Sequence, residues 1–297
     1  MKIYISGICG FIASNLANKL FESEYTVHGC DNLQFGYASN LNPLIEWKKI
    51  DFKDESEYFL NEHDVLVHMA CANIIFAQTN QLETFKTNAL NSICFLNKFK
   101  GKVVYTSTSS VYGQYDTIPT PETAIENLSN AYDQSKSIVE KYLQFRGNFT
   151  TLRLSNVYGE NQLPENPYCG VIGRFIDSII KNRVVPINGD GQATRDYTYI
   201  NDVVRALIIS IDQKARNTEI NIGTGIETSS FNLSVKIANI LGKTPDVKFT
   251  DNRSIDKINR RCLDITIAFK LLGWKPLFDL EEGLKRTINW QNEQIRH

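Results

Sequence analysis

Through the first half of the chain, six short apolar runs alternate with longer stretches of helical spacing, and this order constrains the fold more than any other feature. The strand candidates are 2–6, 26–30, 47–51, 64–69, 102–107 and 149–155. Between them, 12–22, 54–61, 81–99 and 131–146 carry apolar residues at helical intervals, as Leu90, Ile93, Cys94 and Leu96 do. Strands joined through helices pair in parallel, and a parallel sheet needs helices on both faces. The pattern therefore predicts an α/β fold with a doubly wound parallel sheet. After Asn156 the rhythm changes to a loop rich in Asn, Pro and Gly (159–170), a helix at 171–182 and strand-like pieces at 184–188 and 197–200. A helix over 201–213 begins with Asn201 and Asp202 as candidate caps, and one over 279–292 begins with Asp279, with Glu281 and Glu282 in its first turn. The expected partition is a dinucleotide-binding domain at 1–158 and a smaller C-terminal lobe at 159–196 and 224–297, with 197–223 packing back onto the first.

Charge and composition exclude several classes. The 297 residues are 42% hydrophobic and 22% charged, as in ordinary globular proteins. With 32 basic against 33 acidic residues there is no basic field to hold a nucleic acid. No run reaches the roughly 18 apolar residues of a membrane helix, and Met1–Ser6 leads straight into Gly7 without a secretion signal. A soluble, cytoplasmic protein is expected. Its cysteines (Cys9, Cys30, Cys71, Cys94, Cys169, Cys262) form no C-x-x-C pair, so reduced thiols and no metal are expected. His28 and His68 lie in strand-like runs and read as packed, hydrogen-bonded side chains.

The segment Gly7-Ile8-Cys9-Gly10-Phe11-Ile12-Ala13 joins the first strand to the first helix. Without β-carbons at Gly7 and Gly10 the backbone turns tightly and approaches a pyrophosphate at the helix start, at Phe11 and Ile12. Asp31, followed by Asn32, ends the second strand 21 residues beyond Gly10. A carboxylate there accepts bonds from the two ribose hydroxyls and repels a 2′-phosphate, so NAD is preferred to NADP; the other reading of Asp31 is a turn residue. Asp51 and Phe52 end the third strand, where they suit an adenine amino group and ring face, although a strand-end Asp also serves as a cap.

Tyr132 and Lys136 are four apart, so one helix face carries both a phenol and an ammonium. A phenol near pKa 10 becomes a useful base only if its anion is stabilised by about 4 kcal/mol, which a neighbouring cation can provide. The hydroxyl run Thr106-Ser107-Thr108-Ser109-Ser110 precedes the pair, and Thr108 is placed to bond the same reacting oxygen. A turn or capping cluster accounts equally for some of these hydroxyls.

These segments resemble the extended short-chain dehydrogenase/reductases of the nucleotide-sugar epimerase and dehydratase family. The resemblance rests on GICGFIA (7–13), DNLQFG (31–36), HMACA (68–72), Asn88, YTSTSSVYG (105–113), YDQSK (132–136), RLSNVYGENQ (153–162), INGDGQATRDYTYINDV (187–203), NIGTG (221–225) and LGWKPLFDLEEGL (272–284). It implies a Rossmann-type sheet binding NAD, with Met69, Ala70, Cys71 and Asn88 lining the groove and Tyr132, Lys136 and Thr108 as the catalytic set. Asn156 and Arg195 would hold the diphosphate of a nucleotide-linked sugar, joined by Arg261 or by Arg260 beside it. Related sugar 4,6-dehydratases place Asp and Glu directly after the catalytic Thr, and decarboxylating relatives carry Glu where Ser110 stands. Here Ser109 and Ser110 occupy those places, and DNLQFG is similar to the DNLSTG of 4-epimerases. The resemblance thus implies C4 inversion through a transient 4-keto sugar. A 4-keto-sugar reductase is the second reading, and a non-catalytic dinucleotide-binding protein the third. Gln78 falls where many epimerases have a Ser near the substrate. By analogy with relatives, a homodimer is expected to pack through 81–99 and 131–146.

Overall fold

A computed structural model describes residues 1–23, 25–251 and 258–296. Its strands are β1 (Lys2–Ser6), β2 (Thr26–Cys30), β3 (Glu46–Lys48), β4 (Val65–His68), β5 (Lys102–Thr108), β6 (Phe149–Leu154), β7 (Asn156–Tyr158), β8 (Val185–Asn188), β9 (Thr194–Tyr199), β10 (Glu219–Ile222), β11 (Glu227–Ser229) and β12 (Val247–Thr250). Seven of them form the main sheet in the order β10-β6-β5-β4-β1-β2-β3, with every neighbouring pair parallel.

Strand periodicity explains why these runs are apolar throughout. Alternate residues face opposite sides and both sides are covered. Ile3, Ile5, Val65, Val67 and Val104 join one buried cluster, whereas Tyr4, Leu66, Val103 and Tyr105 join the other. Leu16, Ala17 and Leu20 of the helix Phe11–Glu22 and Val203 and Leu207 of the helix Ile200–Asp212 bury into the first cluster. Phe95 and Leu96 of Ser92–Lys98, with Val139 and Leu143 of Ala131–Arg146, bury into the second. The first cluster continues into the later part of the chain through Ile172, Ile237 and the fully buried Trp274. Successive strands run outward from β1 to β3 in one direction and from β4 to β6 in the other. The chain therefore changes direction between β1 and β4, and a crevice opens beyond their carboxyl ends.

Two small sheets lie outside this one: β11-β9-β7, in which β9 pairs antiparallel with β11 and parallel with β7, and the parallel pair β12-β8. Of the segment 197–223, β10 returns to the main sheet beside β6, while residues 197–199 belong to β9 and the small sheet. Among the described residues no helix is long and apolar enough to cross a membrane.

Several local expectations differ in detail. The run 47–51 stops pairing at Lys48, and Asp51 caps the short turn Phe52–Asp54. The stretch 81–99 is helix Gln81–Phe85, a wider π turn over Lys86–Asn91, and helix Ser92–Lys98. Asn201 and Asp202 lie inside the helix Ile200–Asp212 and do not cap it. The Asp202 carboxylate accepts instead from the N–H groups of Leu277 (2.9 Å) and Phe278 (3.1 Å), so its acidity serves a long-range contact. Asp279 does cap its helix, accepting from Glu282 N–H at 2.8 Å.

Candidate active site

The turn after β1 enters the crevice. Gly7 has φ +73°, and a β-carbon there would stand 2.8 Å from Ala70 Cα and 2.9 Å from its nitrogen. The helix then starts at Gly10 with no side-chain cap, so first-turn N–H groups of Phe11, Ile12 and Ala13 face the cavity that these residues line. A cradle free of side chains beneath an uncapped helix start fits a pyrophosphate. Gly7→Ala is therefore expected to weaken NAD binding about tenfold or more, read by titration calorimetry, because a left-handed alanine costs roughly 1–3 kcal/mol before any clash.

Two connected cavities share Gly7, Gly10, Phe35, Met69 and Cys71 and make one groove running from Asp31 to Tyr132. At one end Asp31, Asn32, Phe52, Met69, Ala70 and Cys71 are wall residues. The Asp31 carboxylate accepts from Cys9 N–H (3.0 Å) and Leu33 N–H (2.7 Å), one bond per oxygen, which leaves a lone pair on each for ribose hydroxyls. Burial pushes its pKa up against those bonds. Asp51 takes no part in the wall; it accepts from Lys53 N–H at 3.2 Å and from Asn32 Nδ2 at 3.4 Å. Asn88 lies behind the groove. The π turn presents its amide so that Oδ1 accepts from Ala72 N–H (2.7 Å) and Nδ2 donates to Ala72 O (2.8 Å) and Ser135 Oγ (3.2 Å), tying the loop after β4 to the helix Ala131–Arg146.

At the other end, a cavity of about 410 Å³ is lined by Thr108, Tyr132, Lys136 and Asn156. Asn130 caps the helix, accepting from Asp133 N–H at 3.0 Å, and Tyr132 and Lys136 follow on the face toward β5. Lys136 Nζ donates to Thr106 O (2.8 Å) and stands 4.8 Å over the Tyr105 ring and 6.0 Å from the Tyr132 ring centre. One of its three protons is spent, leaving two for a ligand in the cavity. Burial pushes the Tyr132 phenol well above its ordinary pKa, charge at Cys71 and Asp133 pushes the same way, and a hydrogen bond with Thr108 opposes them. The side chains alone thus leave the phenol protonated, and a further positive charge in the cavity is what would convert it to a base.

Arg261 lies near Asp133, the residue after Tyr132, with Arg195 near it in turn, and neither arginine is a wall residue of the two cavities. Burial and the charge of Arg195 push Arg261 down to about 10, and its Nε is buried without a hydrogen-bond partner. Two cations that depress each other, one with an unused buried donor, fit an anion between them. Arg195 is anchored through Thr194 O at 2.7 Å. Arg260 is engaged elsewhere, its Nε 3.1 Å from both Glu227 oxygens, so Arg261 is the one free to meet a diphosphate. Gln78 is exposed at the end of the helix Ile74–Ala77, and Asn73 is the polar residue of that stretch that reaches the cavity.

Sequence reasoning missed Phe35, Asp196 and the Arg153–Glu140 pair, which shape this site, whereas His68 is the packed, hydrogen-bonded side chain its strand position predicts. Phe35 roofs the groove, its ring 4.8 Å from Tyr168 and 5.5 Å from Phe76, while Asn166 Nδ2 donates to Phe35 O at 3.1 Å. Asp196 is fully buried and accepts from Thr224, Gly225 and Leu263 N–H, holding the loop after β10 against the segment that carries Arg261. Arg153 and Glu140 form a buried ion pair. His68 lies behind the groove with Nδ1 2.6 Å from Ser6 Oγ and Nε2 2.8 Å from Ser92 Oγ. Burial, then the Lys136 charge, pushes its pKa down to about 3. A lowered folded-state pKa gives stability that is full above the unfolded imidazole value, about 6.5, and lost as pH falls through it toward the folded one. The drop in melting temperature between about pH 7 and about pH 5 should therefore be smaller in His68→Gln than in the parent.

A doubly wound sheet whose first turn opens onto a Tyr/Lys pair defines a dinucleotide-dependent enzyme of hydroxyl–carbonyl chemistry. Residues 3–223 match the family model described as NAD dependent epimerase/dehydratase family, and the chain belongs to that family. It is 31% identical to the UDP-glucose 4-epimerase of Mycolicibacterium smegmatis, over 98% of each chain. It is 30% identical to UDP-glucuronic acid decarboxylase 5 of Arabidopsis thaliana, over 96% of this chain and 87% of that one. The crystal structure of UDP-glucose 4-epimerase from Thermotoga maritima with UDP-glucose superposes with a TM-score of 0.94 at 33% identity, covering 99% of this chain and 100% of that one.

Proposed function

We propose that the protein is an NAD-dependent epimerase of nucleotide-diphosphate sugars, inverting C4 through a transient 4-keto sugar. The observation that carries this reading is the single groove that runs from Asp31 past the Gly7 turn to Thr108, Tyr132, Lys136 and Asn156. Bound NAD would supply a hydride acceptor that later returns the hydride, and in its oxidised form a positive charge. Tyr132 takes the C4 hydroxyl proton and gives it back, Thr108 bonds the same oxygen, and Lys136 holds ribose hydroxyls while favouring the phenolate. Asn156, Arg195 and Arg261 clamp the diphosphate, so that the sugar alone turns over between the two hydride transfers. A uridine diphosphate sugar is the substrate class suggested by the relatives. Ser109 and Ser110 are buried hydroxyls at the end of β5, and Ser110 donates to Asp133. Among the described residues no carboxylate there is free to drive elimination or decarboxylation.

Residues 1–158 serve the dinucleotide, and 159–196 with 224–297 the nucleotide sugar. A homodimer through the helices of 81–99 and 131–146 suits the exposed Leu82, Leu90, Ile138 and Phe145. Six free cysteines accord with a cytoplasmic enzyme of carbohydrate biosynthesis. The test is to incubate purified protein, without added cofactor, with UDP-glucose, UDP-galactose and their N-acetylamino counterparts and to separate the products. The expected result is one epimer pair reaching the same mixture from either side. Absence of interconversion, or consumption of reduced cofactor in step with product, would overturn the reading; the latter selects the reductase.

A further inference from the structure

Asp133 follows the proposed acid/base directly, has no solvent exposure, and has no part in the mechanism above. Its Oδ2 accepts from Asn130 Nδ2 (2.7 Å) and Ser129 Oγ (3.1 Å), the bonds expected of a carboxylate in the first turn of a helix. Its Oδ1 is used differently. It accepts from the hydroxyl of Ser110, which lies on the turn after β5, and Ser110 N–H in turn donates to Thr108 Oγ1 at 3.1 Å. A cap at the surface would serve the helix as well without the cost of burying a charge. A cap also has no need of a partner on another element.

We propose that Asp133 is a positioning residue: its buried carboxylate locks the start of the catalytic helix, through Ser110, to the turn that carries Thr108, and its charge lies near both the phenol and Arg261. The inference rests on the epimerase reading and adds a residue to it. Around the phenol stand Cys71 from the loop after β4, Tyr105 and Thr108 from β5, and Asp133 and Lys136 from its own helix. Burial pushes the Asp133 carboxyl up and the Arg261 guanidinium down, and Arg261, which approaches from the segment before Leu263, opposes this, each charge favouring the other. Asp133 is thus the carboxylate among these neighbours, and it makes the phenol harder to ionise. Arg261 and Asp133 are oppositely charged neighbours, so a diphosphate that draws Arg261 to itself links substrate anchoring to the charge beside the acid/base.

Two substitutions separate the lock from the charge. Asp133→Asn removes the charge. Because a like charge raises the phenol's pKa, the acid limb of kcat/KM should move to lower pH by about one unit. The phenol's ultraviolet titration, taken as the difference from Tyr132→Phe, should move by the same amount and does not depend on turnover. Ser110→Ala keeps the charge and cuts the link, so kcat should fall severalfold with the limb at its parental pH. Folding is read by circular dichroism and NAD binding. If Asp133→Asn does not fold, Asp133→Glu takes its place and should keep the parental limb with reduced kcat. An unmoved limb in Asp133→Asn, a displaced one in Asp133→Glu, or parental kcat in Ser110→Ala overturns the proposal. A parent that interconverts no sugar refutes the epimerase reading instead, and the ultraviolet titration still decides the role of Asp133.

Discussion

Replacing Tyr132 by Phe should slow sugar interconversion by about 10²–10⁴-fold while NAD affinity stays at the parental value. The ring remains, so the wall of the cavity and its contact with Lys136 remain. What disappears is the one hydroxyl of the helix that faces both Thr108 and the cavity. Without it the C4 oxygen cannot lose its proton as the hydride leaves, and adding the nucleotide sugar to the holoenzyme should no longer produce the absorbance of reduced nicotinamide. Lys136 cannot substitute as the base, because a lysine ammonium has no lone pair to accept the C4 proton. A variant that interconverts sugars at the parental rate would remove Tyr132 from the chemistry.

Glu140→Leu is expected to lower the unfolding free energy by about 3–5 kcal/mol, read from denaturant midpoints. Glu140 is four residues beyond Lys136 and eight beyond Tyr132, so the helix turns the same face to the sheet at all three. There it meets Arg153 of β6, Nε to Oε1 at 3.1 Å and Nη2 to Oε2 at 2.6 Å, with both side chains almost wholly buried. Arg153 also bonds Tyr112 Oη (2.9 Å), which bonds Asn221 of β10 (2.7 Å), and reaches Glu126 at 3.3 Å. The pair holds Arg153 well above the ordinary guanidinium range, with Glu140 as the main raising influence against burial. Removing the carboxylate strands a buried cation that Glu126 only partly satisfies. Removing both charges, as Glu140→Leu with Arg153→Met, should recover much of the loss because the volume stays apolar and filled. If the single variant is as stable as the parent, the network does not pin the catalytic helix.

Local chemistry was readable from the chain. Alternating apolar runs, a Gly turn after a strand, a carboxylate at the next strand's end and a Tyr/Lys spacing of four each depend on residues close in sequence, and β1, the groove and the helix Ala131–Arg146 follow from them. What stayed hidden depends on distance. Arg153 sits in an apolar strand, and only its partner Glu140 on the Tyr132 face hinted at a buried pair. Asn88, which the resemblance puts in the groove wall, instead stands behind it, because the π turn carries its amide onto Ala72. Of the two readings of Asp51, ligand and cap, the structure shows the cap, a bond two residues long. Asp202 reads as a cap, but its bonds to a segment 75 residues on were decided by how the loops close. Asp133 lay inside the most informative motif and passed unnoticed because its third partner, Ser110, is 23 residues away.

The contact of Phe35 with Tyr168 and the Asn166 bond to its carbonyl join the loop after Asp31, which would flank the coenzyme's ribose, to the loop 159–170, which would border the sugar. Neither flap can lift without disturbing the other. A sugar nucleotide held against the second loop would therefore hold the first in place as well, and coenzyme escape is expected to be slowest while the enzyme is saturated with substrate.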